Sequence, residues 1–147
     1  MPASWARITT MALLGFPPSN QIDGQLFSRG DRQWCRTGLF ELPVDLTQPT
    51  DPAIDNRDVR VVVRPEDIHL NPEQNGMIKC RAQVVLLEDL GSEVIVYLEV
   101  NKIPLVTVIS HAEDHLVDSA EVTVGVRPAR VILFKPDNGQ KLGQGAD

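Results

Sequence analysis

The chain has 147 residues, of which 42% are hydrophobic and 5% aromatic, so it suits one domain, or two small lobes with a shared core of Val, Leu and Ile. Its net charge of -6 argues against nucleic acid or an anionic membrane as partner, because binding to phosphates depends on Lys and Arg. No apolar run is long enough to span a bilayer, and we expect a cytoplasmic protein.

The first half of the chain predicts an N-terminal extension followed by short strands. A helix is plausible only over residues 1–16, because Pro17-Pro18 would end it. Asp23-Gly24 predicts a turn, with the first strand beginning at Gln25 and two further short strands after it. A polar, proline-broken stretch at residues 47–57 is the expected boundary between two parts of the fold.

The second half predicts longer strands. Alternating apolar and polar residues indicate a strand over residues 77–86, and β-branched residues indicate another over residues 94–100. A third, over residues 103–109, contains Pro104, which places it at a sheet edge or at its own start. Since the helix signal is almost absent, we predict an all-β fold, a small barrel of the oligonucleotide/oligosaccharide-binding (OB) type with at most a short N-terminal helix.

One phrase of the sequence occurs twice. Residues 59–70 read VRVVVRPEDIHL, and residues 122–133 read VTVGVRPARVIL. In both copies a strand-like alternation breaks at Arg-Pro and continues into a short apolar segment. We therefore predict a barrel formed from two related β-units, a module for binding and positioning. Pro65-Glu66-Asp67 predicts one helical turn, because proline suits the first helical position and acids suit the first turn.

Arg64 and Arg127 stand directly before the proline that interrupts the strand pattern in each copy. We favour a structural role, in which each arginine pairs with carboxylates or carbonyls of a neighbouring element. The alternative is that one of them grips an anion or a partner protein.

Three other patterns are compatible with a functional site, and each has a simpler interpretation. The run His111-Ala112-Glu113-Asp114-His115 offers metal ligands, but it lacks the HExxH order and is more typical of an exposed loop. Cys35 and Cys80 lack metal spacing, and we expect buried, reduced thiols. The glycine-rich residues 139–145 lack the Ser or Thr of a phosphate loop, which favours a flexible tail. We expect no metal, no cofactor and no catalytic residue.

Several short motifs together resemble the ATP-binding subunits of sugar-importing ABC transporters, where the chain leaves the nucleotide-binding domain. Gly15-Phe16-Pro17-Pro18-Ser19-Asn20 resembles that junction, although the family usually has Met at the position of Ser19. Val63 to Ile68 is similar to the family's Arg-Pro-Glu phrase, and Glu88 to Glu93 to its Glu-x-Leu-Gly-Ser-Glu turn. The C-terminal end of the family's sequences is similar to three segments here: Val126-Arg127-Pro128, Leu133-Phe134 and Asp137-Asn138-Gly139.

This resemblance implies a C-terminal regulatory domain of the TOBE type, an OB-like barrel over residues 17–137. Residues 1–16 would then be an extension or the end of a linker helix, and residues 138–147 a flexible tail. The resemblance also implies a homodimer formed through the barrel, and an ATPase domain and membrane subunits as partners, with the assembly peripheral to the inner membrane. A regulatory protein or a small anion is a further expected partner. Since Walker A, Walker B and signature motifs are absent from the sequence, the chain itself is not expected to hydrolyse ATP.

The resemblance leaves one alternative open. The run Ser19-Asn20 with Gly24 is also similar to TOBE-like proteins that bind molybdate, which would make this chain a stand-alone module for a small oxyanion. For the regulatory function, the candidate structural and interface residues lie in the two Arg-Pro breaks and in the glycine turn: Arg64, Pro65, Glu66, Asp67, Gly91, Ser92, Glu93, Arg127 and Pro128.

Overall fold

The computed structural model describes residues 19–47, 57–137 and 139–146. They form eleven strands and three short 3-10 turns, Pro65–Asp67, His111–Leu116 and Pro128–Arg130. The predicted all-β, OB-like fold is confirmed, whereas the expected N-terminal helix lies outside the described residues. In chain order the strands are β1 (Asn20–Arg29), β2 (Arg32–Thr37), β3 (Glu41–Leu46), β4 (Arg57–Val63), β5 (Ile68–Leu70), β6 (Ile78–Asp89), β7 (Glu93–Val100), β8 (Ile103–Ser110), β9 (Glu121–Val126), β10 (Ile132–Phe134) and β11 (Lys141–Gly145).

Six strands close into a barrel in the order β1-β2-β3-β11-β10-β4. Along β1, every second residue from Asn20 to Leu26 is buried and the residues between are exposed, as strand alternation requires. The turn predicted at Asp23-Gly24 is wrong, because Gly24 lies inside β1. A Cβ on Gly24 would stand 3.0 Å from the Cys35 Sγ and 3.1 Å from the Arg36 carbonyl oxygen, so glycine here allows close packing inside a strand.

The remaining five strands form a curled sheet in the order β5-β9-β6-β7-β8. Its edge strand β8 carries Pro104 as the second residue, which confirms the prediction for that proline. The strand β6 pairs with β9 from Ile78 to Gln83 and with β7 from Gln83 to Asp89. Its second half therefore extends beyond β9 and has a ladder partner on one side.

The chain passes between barrel and sheet twice, and each passage is one copy of the repeated phrase. The first copy runs from β4 in the barrel, through the turn Pro65–Asp67, into β5 in the sheet. The second runs from β9 in the sheet, through Pro128–Arg130, into β10 in the barrel. Because β5 pairs antiparallel with β9, and β10 antiparallel with β4, the two copies run past each other in opposite directions.

Two expectations about boundaries are corrected by this topology. The stretch at residues 47–57 does not separate the units, because β3 before it and β4 after it belong to the same barrel. Within the stretch expected to be a flexible tail, residues 141–145 instead form β11, which lies between β3 and β10 and closes the barrel. The glycines expected to give flexibility instead permit close contact: a Cβ on Gly143 would stand 2.9 Å from the Leu46 Cα, and one on Gly145 would overlap the Pro128 carbonyl.

One hydrophobic core serves both units, and it consists mainly of Val, Leu and Ile, as the scarcity of aromatic residues predicts. Burying each such side chain contributes about 1.5–3 kcal/mol. Two polar side chains, Asn20 and Thr107, are buried with it. The Thr107 hydroxyl lies 2.8 Å from the Pro65 carbonyl oxygen and 2.7 Å from the Ile68 carbonyl oxygen, so β8 holds the first crossing in place.

Candidate functional site

The two Arg-Pro turns are the first group of candidate residues, and the fold brings them to the crossings between barrel and sheet. Pro65 and Pro128 are buried, whereas Arg64 and Arg127 are exposed. The prolines therefore act in packing, since each begins a 3-10 turn with its ring in the core. The arginine side chains point away from that core and are available to solvent or a ligand.

Both turns have the same backbone hydrogen bonds, although only the first has acids. The Asp67 amide donates to the Arg64 carbonyl at 3.0 Å, and the Arg130 amide donates to the Arg127 carbonyl at 2.9 Å. The helical turn predicted at Pro65–Asp67 is confirmed, and the second copy forms the same turn at Pro128–Arg130. The acids Glu66 and Asp67 are therefore dispensable for the turn, because proline fixes the backbone in both copies.

The expected structural pairing of the two arginines is not found. In the part of the chain that the structure describes, neither Arg64 nor Arg127 forms an ion pair or a side-chain hydrogen bond. Both guanidinium groups lie at the surface, where a salt bridge contributes little. The buried prolines hold both crossings in place, and Thr107 adds its hydroxyl contacts at the first one. The N–H donors of Arg64 and Arg127 remain available to another partner.

The second candidate group, Gly91-Ser92-Glu93, lies in a different place, at the hairpin between β6 and β7. Gly91 has φ of 98°, a conformation that favours glycine. Its amide donates to the Asp89 Oδ1 at 2.8 Å, and the His111 amide donates to the Ser92 carbonyl at 2.9 Å. This turn therefore fixes the end of the hairpin against the turn His111–Leu116.

Next to that hairpin lies a group of exposed apolar side chains that the sequence reasoning did not single out. These are the large hydrophobic residues with the highest exposure among the described residues, at 38–49%, and we call them the β6 patch: Val85, Leu86, Leu87 and Leu90. A shift of register between Val84 and Leu86 interrupts the alternation, so consecutive apolar residues reach both faces of the strand. The run Val84-Val85-Leu86-Leu87 carried this signal, because it does not alternate.

Acidic residues border the β6 patch. Glu88 and Asp89 lie within the same strand and Glu93 begins the next. Glu88 accepts a hydrogen bond from the Tyr97 hydroxyl at 3.1 Å. Burial, together with the hydrogen bond and charge of Glu88, raises the pKa of Tyr97 to about 12. Tyr97 is therefore a neutral donor at physiological pH, which fixes the carboxylate at the border of the patch.

The histidine and cysteine candidates remain separate groups. His111 Nδ1 lies 3.6 Å from an Asp89 carboxylate oxygen in an exposed setting. No set of three His, Cys, Asp or Glu residues within the described ranges could hold a metal ion. Cys35 and Cys80 are both free thiols, Cys35 buried as expected and Cys80 half-buried. Burial raises the pKa of Cys35 to about 11, which leaves that thiol unreactive. Within those ranges, no helix is long and apolar enough to cross a membrane.

Comparison with known proteins extends this description. A family model described as the TOBE domain matches residues 61–134, from β4 to the end of β10. Among solved structures, the fold is similar to that of the cytoplasmic molybdate-binding protein ModG, in a PEG-grown form with molybdate bound. The TM-score is 0.61, with 14% sequence identity over 80% of this chain and 96% of that chain. At that identity the likeness shows the fold alone. No curated protein matches the sequence.

Proposed function

This chain belongs to the TOBE domain family, and from that premise we propose that it is a non-catalytic regulatory and dimerisation domain of an ABC importer's ATP-binding subunit. The importer would take up a carbohydrate or a related solute. The observation that carries the proposal is the β6 patch, whose four apolar side chains, three on β6 and Leu90 directly after it, are 38–49% exposed. Apolar clusters of this kind mark interaction sites on folded domains.

The backbone beside the β6 patch supports an interface as well. The Val84 amide donates to the Ala120 carbonyl at 2.8 Å, and beyond this bond β6 pairs only with β7 among the described strands. From residue 85 to residue 89 the other edge of β6 therefore has free backbone donors and acceptors. An open strand edge with exposed leucines favours addition of a further strand.

A second copy of this chain fits that edge. If two β6 edges pair antiparallel about a twofold axis at Leu87, then Leu86 faces Glu88 of the other copy and Val85 faces Asp89. No carboxylate then faces another carboxylate, and the leucines of both copies are buried together. Such an isologous contact uses the same residues on both chains. It would tether two ATPase domains while those domains open and close.

Light scattering after size-exclusion chromatography tests the pairing. We expect a dimer at micromolar concentration, and we expect Leu87→Glu to give a monomer because it places a charge in the centre of the interface. His69→Glu is the matched control, since it adds a negative charge at the exposed middle position of β5 and should leave the dimer unchanged. A monomeric wild-type chain at all concentrations, or a dimeric Leu87→Glu variant, would contradict the proposal.

The transporter assignment has a separate test in the source genome. We expect an in-frame coding sequence for a Walker A loop and a signature motif upstream of Met1. A stop codon directly upstream would contradict the assignment to an ATP-binding subunit, even if the chain forms a dimer.

The second candidate function is binding of a small oxyanion. It is favoured by the fold likeness to ModG and by the exposed, unpaired guanidinium groups of Arg64 and Arg127. A ligand that binds only the folded chain raises its melting temperature by mass action. Millimolar molybdate should therefore stabilise the wild-type chain and not the Arg64→Gln, Arg127→Gln double variant. An unchanged melting temperature of the wild-type chain would rule out this candidate.

A further inference from the structure

A groove on the outside of the barrel combines two positive charges with no negative one. It lies where β1, β4 and β10 run side by side, and its volume is about 360 Å³. The ionisable residues among its described lining are Arg60 and Lys135, and no carboxylate lines it. We call it the Arg60 groove. The whole chain has 20 acidic residues against 14 Lys and Arg, so the positive charge of the groove lining is opposite in sign to the net charge of the chain.

The Arg60 guanidinium is held in place while some of its donors stay unused. Its Nη1 donates to the Gln21 Oε1 at 3.1 Å. Its Nε is buried and has no hydrogen-bond acceptor. The Asp23 carboxylate lies 3.6 Å from that Nε and is 97% exposed, so it neutralises the guanidinium only weakly. Arginine carries five N–H donors, and Gln21 orients them without using them all.

Lys135 also lines the groove, directly after β10. The Lys135 amide donates to the Gln140 carbonyl at 2.8 Å, and the Gly139 amide donates to the Lys135 carbonyl at 3.0 Å. Gly139 adopts φ of 71°, which closes this turn at a low conformational cost for glycine. Within residues 19–47, 57–137 and 139–146, the Lys135 ammonium forms no ion pair. It is therefore available to a ligand in the groove.

We propose that the Arg60 groove binds a phosphoryl dianion, either inorganic phosphate or the head group of a small phosphate monoester. A phosphate monoester carries a charge of about -1.5 to -2 at pH 7, which Arg60 and Lys135 balance, and the planar guanidinium accommodates two phosphate oxygens at once. The Ser19 hydroxyl supplies a further donor, and Val62 and Phe134 give an apolar wall for a small organic group. This proposal does not depend on the dimer, and its residues differ from Arg64 and Arg127.

Isothermal titration of the full chain at constant ionic strength tests the site with two probes, inorganic phosphate and phenyl phosphate. We expect one phosphoryl group to bind per chain. Arg60→Gln and Lys135→Gln should each weaken binding about tenfold or more, because each removes a charge-assisted contact. Arg32→Gln and Lys79→Gln are matched controls with the same charge change at exposed positions outside the groove, and they should bind as the wild-type chain does.

The outcomes separate this proposal from the others. Tighter binding of phenyl phosphate would support a monoester as the ligand, and equal affinity would support inorganic phosphate. Absence of heat with both probes at millimolar concentration would overturn the proposal. It would also be overturned if Arg32→Gln weakened binding as much as Arg60→Gln, because the effect would then come from overall charge. The Leu87→Glu chain should keep its affinity, so failure to form a dimer and failure to bind phosphate remain distinguishable.

Discussion

Replacing Asn20 by alanine should destabilise the fold more than any exposed substitution, because the Asn20 side chain joins the barrel to the edge of the sheet. Its Nδ2 donates to the Val106 carbonyl at 2.9 Å, and its Oδ1 accepts from the Val106 amide at 2.7 Å. The same Nδ2 donates to the Val63 carbonyl at 3.2 Å. One amide side chain thus serves as the missing ladder partner of Val106 on the free edge of β8.

The size of the effect follows from the groups left behind. Asn20→Ala removes the partners of two backbone groups of Val106, a residue only 3% exposed. Leaving a buried donor or acceptor unsatisfied costs about 1–3 kcal/mol each, so the free energy of unfolding should fall by about 2–6 kcal/mol. Asn20→Asp keeps the shape of the side chain but lacks its N–H donors and introduces a buried charge. We expect that variant to be destabilised as well.

Urea unfolding followed by circular dichroism measures the change. With a slope near 2 kcal/mol/M, the midpoint of Asn20→Ala should fall by about 1–3 M. Gln25→Ala on the same strand is the control, because Gln25 is exposed and its side chain bonds to exposed Asp58; it should stay within about 0.5 kcal/mol of wild type. If Asn20→Ala also stays within that margin, barrel and sheet are joined by the apolar core alone and the reasoning is refuted.

Three further predictions concern single residues. Tyr97 is the only tyrosine in the sequence, so absorbance at alkaline pH should report its ionisation near the raised pKa of about 12 in the folded chain and near 10 in urea. The stability that neutral Tyr97 contributes is complete below pH about 10 and is lost as the pH rises towards 12. A midpoint near 10 in the folded chain would contradict this prediction. Thr107→Val should lower the free energy of unfolding in urea by about 1–3 kcal/mol because the single O–H shared by two buried carbonyl oxygens is lost, whereas equal loss in Thr107→Ser would point to packing instead. Gly143→Ala should lower the urea midpoint more than Gly30→Ala, because a Cβ meets β3 backbone at the first site, whereas at the second it meets nothing within 4 Å and only the φ of 65° opposes alanine; equal midpoints would show that β11 can shift.

Local sequence signals were sufficient for the fold class and for the longer strands. The alternation in β6 and the β-branched run of β7 each reflect which face is buried, and that is a local property. The role of Gly24 was not local: Gly24 follows Asp23 as in a turn, yet it is required because Cys35 and Arg36 of the neighbouring strand approach its Cα. The strand β11 was missed for the same reason, since its glycines are explained by strands far away in the sequence.

The candidate sites were predictable only in part. The repeated phrase correctly indicated two related units, and proline correctly predicted a turn. That the two copies are the two passages between units follows from strand pairing, which the sequence does not display. The Arg60 groove was missed because Arg60 and Lys135 are separated in sequence and meet only when β4 pairs with β10. The β6 patch was visible as a non-alternating run, and its exposure depends on β9 ending beside Val84.

The double crossing has a consequence for synthesis of the chain on the ribosome. The sheet strands β5 to β9 are contiguous in sequence, whereas the barrel needs β10 and β11, which come after all of them. At about 5–20 residues per second, the segment from the end of β4 to β11 takes roughly 4–16 s to synthesise. During that time β3 and β4 lack their final neighbours and expose open edges. The five-stranded sheet can therefore form while the chain is still growing, whereas the barrel closes only near the end of translation.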